Sequence, residues 1–234
     1  MKPSSWPGLI MFDLDGTLVE TAPEIAESIN RTLDIAGLPR LDNTLIKKWI
    51  GKGTAWLFGQ VLEYSMQDPQ IRESDTYTHY YPIFLNVYSE LSGQLSQPFD
   101  GAFTCLDLLK EKGYSLAVVT NKDRPLTERL LNQLKMNHWF DIVVAGGDTP
   151  LGKPSAQPLQ LALDKSHKLA NQSLFVGDSS NDVRSAKSAG VPIWVFSHGY
   201  NHGEPIEQEN PDLVLHHFND LVHCLSTHSL VFTA

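Results

Sequence analysis

Cysteine is scarce in this sequence, which contains only Cys105 and Cys224 among its 234 residues. Two cysteines so far apart in a chain of this length do not form the disulfide framework of a small secreted domain. Cys105 has the helical spacing of a core residue with Leu108 and Leu109, and neither cysteine stands in the sequence context of a nucleophile. We therefore expect neither a disulfide-stabilised fold nor cysteine catalysis.

Long apolar runs and an excess of basic residues are also absent. No stretch approaches the roughly 20 apolar residues of a membrane-spanning helix, and the N-terminal sequence MKPSSWPGLI lacks the apolar segment of a signal peptide. The formal net charge of −9 argues against a nucleic-acid-binding surface, which needs clustered Lys and Arg. A few local positive groups can still bind a small anion. We expect a cytoplasmic protein whose partner is a small molecule, with no nucleic-acid or membrane partner; the oligomeric state stays open.

Five short apolar runs predict β-strands, and amphipathic segments predict helices between them. The predicted strands are Leu9–Phe12, Ser115–Thr120, Asp141–Gly146, Ser173–Asp178 and Pro192–Phe196. The predicted helices between the later strands are Pro125–Met136, Pro158–His167 and Asp182–Ala189. Strands that alternate with helices indicate a parallel sheet, and continuous apolar runs suit strands buried on both faces. We predict an α/β fold with a Rossmann-like parallel sheet core flanked by helices.

The segment between the first two predicted strands is far longer than one crossover requires. It reads as mostly helical, with Ile25 and Ile29 four residues apart on one helix face. We predict an inserted small α-helical cap domain at residues 21–96. The core domain would then comprise residues 1–20 and 97–234.

Polar side chains occur where the predicted strands end. Asp13, Thr120 and Asp178 occupy the carboxyl ends of three strands, and Lys153 follows another. Ligands of open α/β sheets bind beyond these ends. Asp13 and Asp178 can share Mg²⁺, which prefers carboxylates, water and phosphate oxygens. Lys153, the Thr120 hydroxyl and the backbone N–H of Asn121 can hold the other phosphoryl oxygens.

The pair Asp13 and Asp15 gives this site two carboxylates with separate tasks. Aspartate can accept a phosphoryl group as an aspartyl-phosphate, and Asp13 is the candidate nucleophile. Asp15 would protonate the leaving alkoxide and then deprotonate the water that cleaves the intermediate. A residue that is covalently occupied cannot easily serve as the proton shuttle as well, which explains the need for both.

The segments DLDGT, TNK, the lysine of GKP, and GDSSND resemble, in this order, the four motifs of the haloacid dehalogenase superfamily of phosphotransferases. By this resemblance the metal ligands would be the carboxylates of Asp13 and Asp178 and the backbone carbonyl of Asp15. Asp182 would be an outer or auxiliary ligand. The resemblance also implies that the helical insertion is the small mobile cap of that family.

Within the superfamily, the segments FDLDGTLVETAPEI, WIGKGT, GGDT, NDVRSAKSAG and GYNHGEPI followed by PDLVL resemble bacterial phosphoglycolate phosphatases over nearly the whole chain. The resemblance implies Mg²⁺-dependent hydrolysis of 2-phosphoglycolate to glycolate and phosphate. It also places the loop with Gly51 and Lys52 over the site, where backbone N–H groups or the Lys52 ammonium could bind the substrate carboxylate. The alternative is a solvated loop. Glu20 departs from the aspartate that is more usual after GTLV.

Several other functions remain open at this point. The chain could hydrolyse another small phosphate, such as a sugar phosphate or pyrophosphate. It could instead be a signalling module in which phosphorylation of Asp13 controls partner binding. A dehalogenase or phosphonate hydrolase of the superfamily would lack Asp15, whereas a sugar-phosphate mutase would keep it. His198 and His202 lie in a predicted flexible loop and, as two histidines without an established set of carboxylate or cysteine partners, make a poor metal site.

Overall fold

The computed structural model describes residues 6–228, and six of its strands form one parallel sheet. The strands are β1 (Leu9–Phe12), β2 (Val19–Glu20), β3 (Gln97–Pro98), β4 (Ser115–Asp123), β5 (Ile142–Gly146), β6 (Ser173–Gly177), β7 (Ile193–Phe196) and β8 (Leu213–Leu215). The order in the large sheet is β5-β4-β1-β6-β7-β8. Phe12 pairs with Val118 on one side and Val176 on the other. The predicted fold class is therefore confirmed, and the first strand lies at the centre of the sheet.

Helices follow or precede each strand of the large sheet. The α-helices are α1 (Ala22–Ile35), α2 (Asn43–Lys47), α3 (Thr54–Met66), α4 (Asp75–Leu91), α5 (Ala102–Glu111), α6 (Arg124–Gln133), α7 (Gln157–Ser166), α8 (Ser180–Ala189) and α9 (Phe218–His228). Short 3₁₀ turns occupy Ile71–Glu73, Asn137–Trp139, Ala170–Gln172 and Ile206–Glu209. No helix within residues 6–228 is both long enough and apolar enough to cross a membrane.

The central strand β1 is buried on both of its faces. Ile10 and Phe12 belong to a hydrophobic cluster that includes residues of α5 and α9. Leu9 and Met11 point to the opposite face, where they belong to a cluster with residues of α7 and α8. Successive side chains of a strand alternate between the faces, so burial of both faces requires the continuous apolar run that the sequence contains.

Helices α1–α4 lie between β1 and β4 in the chain and form a second hydrophobic cluster, which contains Phe58 and Phe84 with ring centroids 4.9 Å apart and also includes Leu126 of α6 and Tyr200. We call these four helices the helical insertion. The chain enters and leaves it at the antiparallel pair β2–β3, which the sequence did not predict. The cap domain at residues 21–96 stays a prediction. The ends of the predicted core domain, residues 1–5 and 229–234, lie outside the described residues.

A buried carboxylate joins the two ends of the helical insertion. Glu24 lies in the first turn of α1 and is fully buried. Its Oε2 accepts hydrogen bonds of 3.2 Å from the backbone N–H groups of Leu95 and Ser96. The chain leaving the insertion is therefore held against the helix that begins it.

The second strand of the chain to enter the sheet, β4, runs further than predicted, to Asp123 instead of Thr120. Its register with β5 shifts between Val119 and Asp123. Polar residues can continue the strand here because this end lies beyond the hydrophobic part of the sheet. The three-residue edge strand β8 was not predicted, since so short a run carries no periodic pattern.

Helix α8 also begins earlier than predicted, at Ser180 instead of Asp182. Ser179 is its N-cap, and the carboxylate of Asp182 returns to the N-cap backbone N–H to complete a capping box. Asp182 is therefore in the first turn of the helix and not at its start.

Candidate active site

The carboxyl ends of β1 and β6 carry two aspartates of the site. Asp13 directly follows β1 and Asp178 directly follows β6. The two strands are hydrogen-bonded neighbours, and the Asp13 N–H donates to the carbonyl of Val176 at 2.9 Å. Parallel pairing therefore places the two carboxylates side by side, as the sequence predicted.

Asp13, Asp178 and Asp182 form a cluster of buried carboxylates. One oxygen from each residue lies within 4.8 Å of the other two. Within the described residues this is the one such group of three or more His, Cys, Asp or Glu side chains. Three carboxylates this close repel one another unless cations offset their charge.

Lys153 supplies one positive charge to this cluster. Its Nζ lies 2.8 Å from Asp13 Oδ1 and 2.7 Å from Asp182 Oδ1, and its side chain is 2% exposed. Burial lowers the pKa of Lys153, but the charges of Asp13 and Asp182 outweigh that effect and raise it above the ordinary lysine value. Lys153 is therefore a buried ammonium held between Asp13 and Asp182.

One ammonium does not offset three carboxylates. The pKa of Asp13 is raised to about 7. Burial is the largest cause and the charge of Asp182 adds to it, while Lys153 acts in the opposite direction. Burial also raises the pKa of Asp178 well above its ordinary value, and Asp182 and Asp13 add to that effect. The four groups together carry a formal charge of −2, which matches the charge of one divalent cation.

The carboxylate of Asp178 is held by two donors. The Thr17 hydroxyl donates to Oδ1 at 2.5 Å, and the Tyr200 N–H donates to Oδ2 at 2.6 Å. Gly16 packs against the same carboxylate at φ +86°, and a Cβ there would lie 2.5 Å from Asp178 Oδ2. The DGT sequence therefore provides both the glycine that allows this approach and the hydroxyl that orients Asp178.

Asp15 lies apart from this cluster and pairs with a different lysine. Lys122 Nζ lies 3.1 Å from Asp15 Oδ1 and 3.3 Å from Oδ2. The Lys122 side chain is 1% exposed, and its ammonium also contacts the hydroxyl and ring of Tyr88 from α4. Neither Lys122 nor Tyr88 was predicted from the sequence as a residue of the site. The lysine does belong to the TNK segment, but Tyr88 is far away in the chain and gave no signal.

Asn121 connects three segments around the site. Its Nδ2 donates to the carbonyls of Gly51 at 3.0 Å and Lys153 at 2.8 Å, and its Oδ1 accepts the Lys153 N–H at 2.7 Å. Asn181 Nδ2 also donates to the Gly51 carbonyl, at 3.2 Å. The Gly51 loop therefore lies against the sheet edge, while the Asn121 side chain positions the loop that carries Lys153.

A small cavity lies between the sheet edge and the helical insertion. Its volume is about 30 Å³. It is lined by Asp13, Asp15, Ile25, Ile50, Gly51, Gly53, Thr54, Leu57, Tyr88, Thr120, Asn121 and Lys122. The cavity has room for little more than a water molecule, so this arrangement of the insertion is a closed one.

Lys52 lies outside this cavity. Its side chain is exposed, and its Nζ sits 4.5 Å from the centroid of the Trp56 ring. Gly51, by contrast, lines the cavity with its backbone. The structure therefore brings Asp13, Asp15, Thr120, Asn121, Lys153, Gly51, Asp178 and Asp182 together and leaves Lys52 apart.

The histidines of the SHGYNHG segment have other contacts. His198 stacks on Phe196 with ring centroids 4.8 Å apart, and His202 Nδ1 lies 2.8 Å from the Lys48 carbonyl. Neither belongs to the carboxylate cluster.

Comparison with known proteins gives concordant matches over most of the chain. A family model described as haloacid dehalogenase-like hydrolase matches residues 10–196. A phosphoglycolate phosphatase of Yersinia pestis is 35% identical over 221 residues, which cover 94% of each chain. Phosphoglycolate phosphatase 1 of Pseudomonas aeruginosa is 34% identical over 218 residues, covering 93% of this chain and 79% of the relative.

A solved structure extends the comparison to the fold. The crystal structure of a predicted phosphoglycolate phosphatase from Haemophilus somnus matches with a TM-score of 0.87 and 33% identity. The match covers 93% of this chain and 97% of the other. The residues matched by the family model include all four strand-end side chains, Asp13, Thr120, Lys153 and Asp178.

Proposed function

The chain belongs to the haloacid dehalogenase-like hydrolases, and we propose that it is a Mg²⁺-dependent phosphatase that hydrolyses 2-phosphoglycolate to glycolate and phosphate. The observation that carries the proposal is the convergence of Asp13, Asp15, Asp178 and Lys153 at one sheet edge. The relatives named phosphoglycolate phosphatase, at 34% and 35% identity, support the choice of substrate.

The donor set fits a hard divalent cation. The cluster consists of carboxylate oxygens, its formal charge with Lys153 is −2, and burial disfavours that charge. We assign Asp13, Asp178 and the backbone carbonyl of Asp15 as ligands of Mg²⁺. Both oxygens of Asp182 are already engaged, Oδ1 by Lys153 and Oδ2 by the N-terminus of α8, so Asp182 is an outer ligand. When bound, Mg²⁺ neutralises charge on the phosphoryl group and on the carboxylates.

The phosphoryl group would be held by the residues that surround Asp13. Lys153 Nζ lies 2.8 Å from Asp13 Oδ1, so a phosphoryl oxygen bound to Lys153 lies beside the nucleophile. The buried Thr120 side chain lines the same cavity and offers a hydroxyl donor. Fixed donors of this kind stabilise the charge of a phosphoryl group without reorganisation.

In the first step, a carboxylate oxygen of Asp13 attacks phosphorus and the bond from phosphorus to the ester oxygen breaks. Protonated Asp15 gives its proton to the leaving alkoxide, which departs as glycolate with a neutral hydroxyl group. The product on the protein is an acyl phosphate at Asp13.

In the second step, the Asp15 carboxylate takes a proton from a water molecule whose oxygen attacks phosphorus. The bond from phosphorus to the Asp13 oxygen breaks, which releases inorganic phosphate and regenerates the Asp13 carboxylate. Asp15 is again protonated, so the cycle is complete. Asp15 lines the cavity beside Asp13, as this sequence of proton transfers requires.

Other small phosphates are the main alternative substrates. The relatives named phosphoglycolate phosphatase favour a small phosphorylated acid over a sugar phosphate. A signalling module would need to keep its phosphoryl group, whereas Asp15 next to Asp13 promotes its hydrolysis. Both observations favour a phosphatase for a small acid.

The test is kcat/KM for 2-phosphoglycolate, several sugar phosphates and pyrophosphate, measured with Mg²⁺ and with EDTA. The variants are Asp13→Asn and Asp15→Asn, with Asp164→Asn on the exposed side of α7 as the matched control. We expect metal-dependent turnover that favours 2-phosphoglycolate, is lost in both site variants and is kept in the control.

Two results would contradict parts of the proposal. Equal activity on sugar phosphates would retain the chemistry but refute the substrate. Failure to turn over any phosphate, together with a long-lived phosphoryl group on Asp13, would favour the signalling module.

A further inference from the structure

The cavity between the sheet edge and the helical insertion is lined by a lysine ammonium that has no role in the two reaction steps proposed above. Among the described residues that line it, Lys122 supplies the one ammonium group, next to the carboxylates of Asp13 and Asp15. Lys153 acts at the phosphoryl end, where it contacts Asp13 and Asp182. Lys122 lies at the other end, between Asp15 and the helical insertion.

The surroundings of Lys122 hold its ammonium at a fixed point. The residue is 3% exposed, and its Nζ is paired with Asp15 and contacts the fully buried side chain of Tyr88. An unpaired ammonium would be costly to bury, so the pair with Asp15 allows the charge to stay in the closed site. Side chains of Ile25, Ile50 and Leu57 form much of the remaining wall and exclude bulk water.

The structure of the proposed substrate brings its carboxylate close to Lys122. Asp15 must reach the ester oxygen in order to protonate it, so the carbon attached to that oxygen lies on the Asp15 side of the cavity. In 2-phosphoglycolate, one methylene group separates the ester oxygen from the carboxylate. The carboxylate therefore comes within reach of a cation that lies 3.1 Å from Asp15.

We propose that Lys122 binds the substrate carboxylate and gives the site its preference for a phosphorylated small acid over a neutral phosphate ester. A carboxylate that enters a cavity already lined by Asp13 and Asp15 needs a compensating charge, and Lys122 is placed to supply it. The exposed Lys52, which contacts Trp56 outside the cavity, is not. The inference rests on the proposed function.

The test compares 2-phosphoglycolate with 2-hydroxyethyl phosphate, which keeps the phosphate ester and replaces the carboxylate by a neutral alcohol. The readout is the ratio of kcat/KM for the two substrates. We expect the wild-type enzyme to prefer 2-phosphoglycolate by about 100-fold. This is the size of effect found when one member of a buried charge pair is removed, and 2-hydroxyethyl phosphate lacks the carboxylate. Lys122→Met is expected to reduce this ratio to a few-fold, and Lys122→Arg to retain most of it.

Lys112→Met, at an exposed lysine after α5, is the matched control and should keep the wild-type ratio. If Lys122→Met does not fold, as judged by circular dichroism, Lys122→Gln provides the same comparison with a polar side chain.

Equal losses on both substrates would overturn the inference, because they would mean that Lys122 acts only by positioning Asp15. A wild-type enzyme that hydrolyses both substrates equally well would also overturn it while leaving the phosphatase chemistry intact. A wild-type enzyme that hydrolyses sugar phosphates but not 2-phosphoglycolate would refute the proposed substrate, and with it the inference.

Discussion

Without a divalent cation, we expect the protein to become less stable as the pH rises from about 5 to about 7. The reason is the buried group of Asp13, Asp178, Asp182 and Lys153, in which three carboxylates face one ammonium. At low pH the folded protein relieves the repulsion by keeping protons on the carboxyl groups. As the pH rises, the folded state must either hold those protons or bury the charge, whereas the unfolded chain ionises freely.

The pKa of Asp13 gives the size of the effect. Its value is about 7 in the folded protein against 3.8 for an ordinary aspartate, so between these values the folded state binds more protons than the unfolded state. Stability then falls with rising pH. At about 1.4 kcal/mol per pKa unit, Asp13 alone lowers the free energy of unfolding by roughly 4 kcal/mol over the whole window, and by roughly 2 kcal/mol between pH 5 and 7.

The assay is urea unfolding at pH 5, 6 and 7, in EDTA and in millimolar Mg²⁺. Mg²⁺ should remove most of the pH slope, because binding to the folded state alone stabilises it by mass action. Asp13→Asn should flatten the slope in EDTA, whereas the exposed control Asp164→Asn should leave it unchanged. Burial lowers the pKa of His198, which contributes a slope of opposite sign in all samples, so the difference between wild type and Asp13→Asn isolates the carboxylate.

In EDTA, the same dependence of the free energy of unfolding on pH in wild type and Asp13→Asn would refute this reasoning. So would Mg²⁺ that gives no added stability at pH 7. Either result would mean that the carboxylates are not the uncompensated charge that the geometry indicates.

Three further predictions concern the contacts around the site. Tyr200→Phe removes a hydroxyl that accepts the N–H groups of Thr21 and Ala22 at the start of α1 and donates to Glu20 at 2.6 Å. We expect the free energy of unfolding in urea to fall by about 1–3 kcal/mol, and an unchanged unfolding midpoint would contradict this expectation. Glu24→Ala leaves the buried N–H groups at the end of the insertion without an acceptor and should cost about 2–3 kcal/mol, measured in the same way, with the exposed Glu111→Ala as its control. Thr17→Val removes the hydroxyl that orients Asp178 and should weaken Mg²⁺ binding about 10- to 100-fold. Saturating Mg²⁺ should restore kcat. A loss of kcat that Mg²⁺ does not restore would refute the positioning role of Thr17.

The sequence was sufficient to place the residues that follow parallel strands. Asp13, Thr120 and Asp178 could be brought together without coordinates, because the carboxyl ends of neighbouring strands meet at one edge. The apolar runs mark the ends of β1 and β6, whereas β4 continues past Thr120 to Asp123. The position of the strands in the sheet and the edge strand β8 could not be predicted, since these depend on pairing between distant segments and not on local pattern.

Local sequence pattern does not identify which of Lys52 and Lys122 lines the cavity. Lys52 stands between two glycines and resembles a ligand-binding loop residue, yet its ammonium lies over Trp56. Lys122 occupies a strand that continues further than its apolar residues do, past a register shift with β5. The direction of its side chain depends on that shift and on Tyr88 from another part of the chain. Neither factor can be derived from residue type or spacing.

The small cavity has a consequence for how a substrate enters. A volume of about 30 Å³ does not hold an organic phosphate, so we predict that the helical insertion moves away from the sheet edge before a substrate binds. The polar contacts that separate include the Gly51 carbonyl with Asn121 and Asn181, and the Thr54 hydroxyl with the Asp123 carboxylate. Water can replace each of these hydrogen bonds, so each contributes little net free energy. The movement also separates apolar contacts, because Leu126 of α6 and Tyr200 belong to the hydrophobic cluster of the insertion. Opening therefore costs free energy at these apolar contacts, and closure regains it together with the contacts to the substrate.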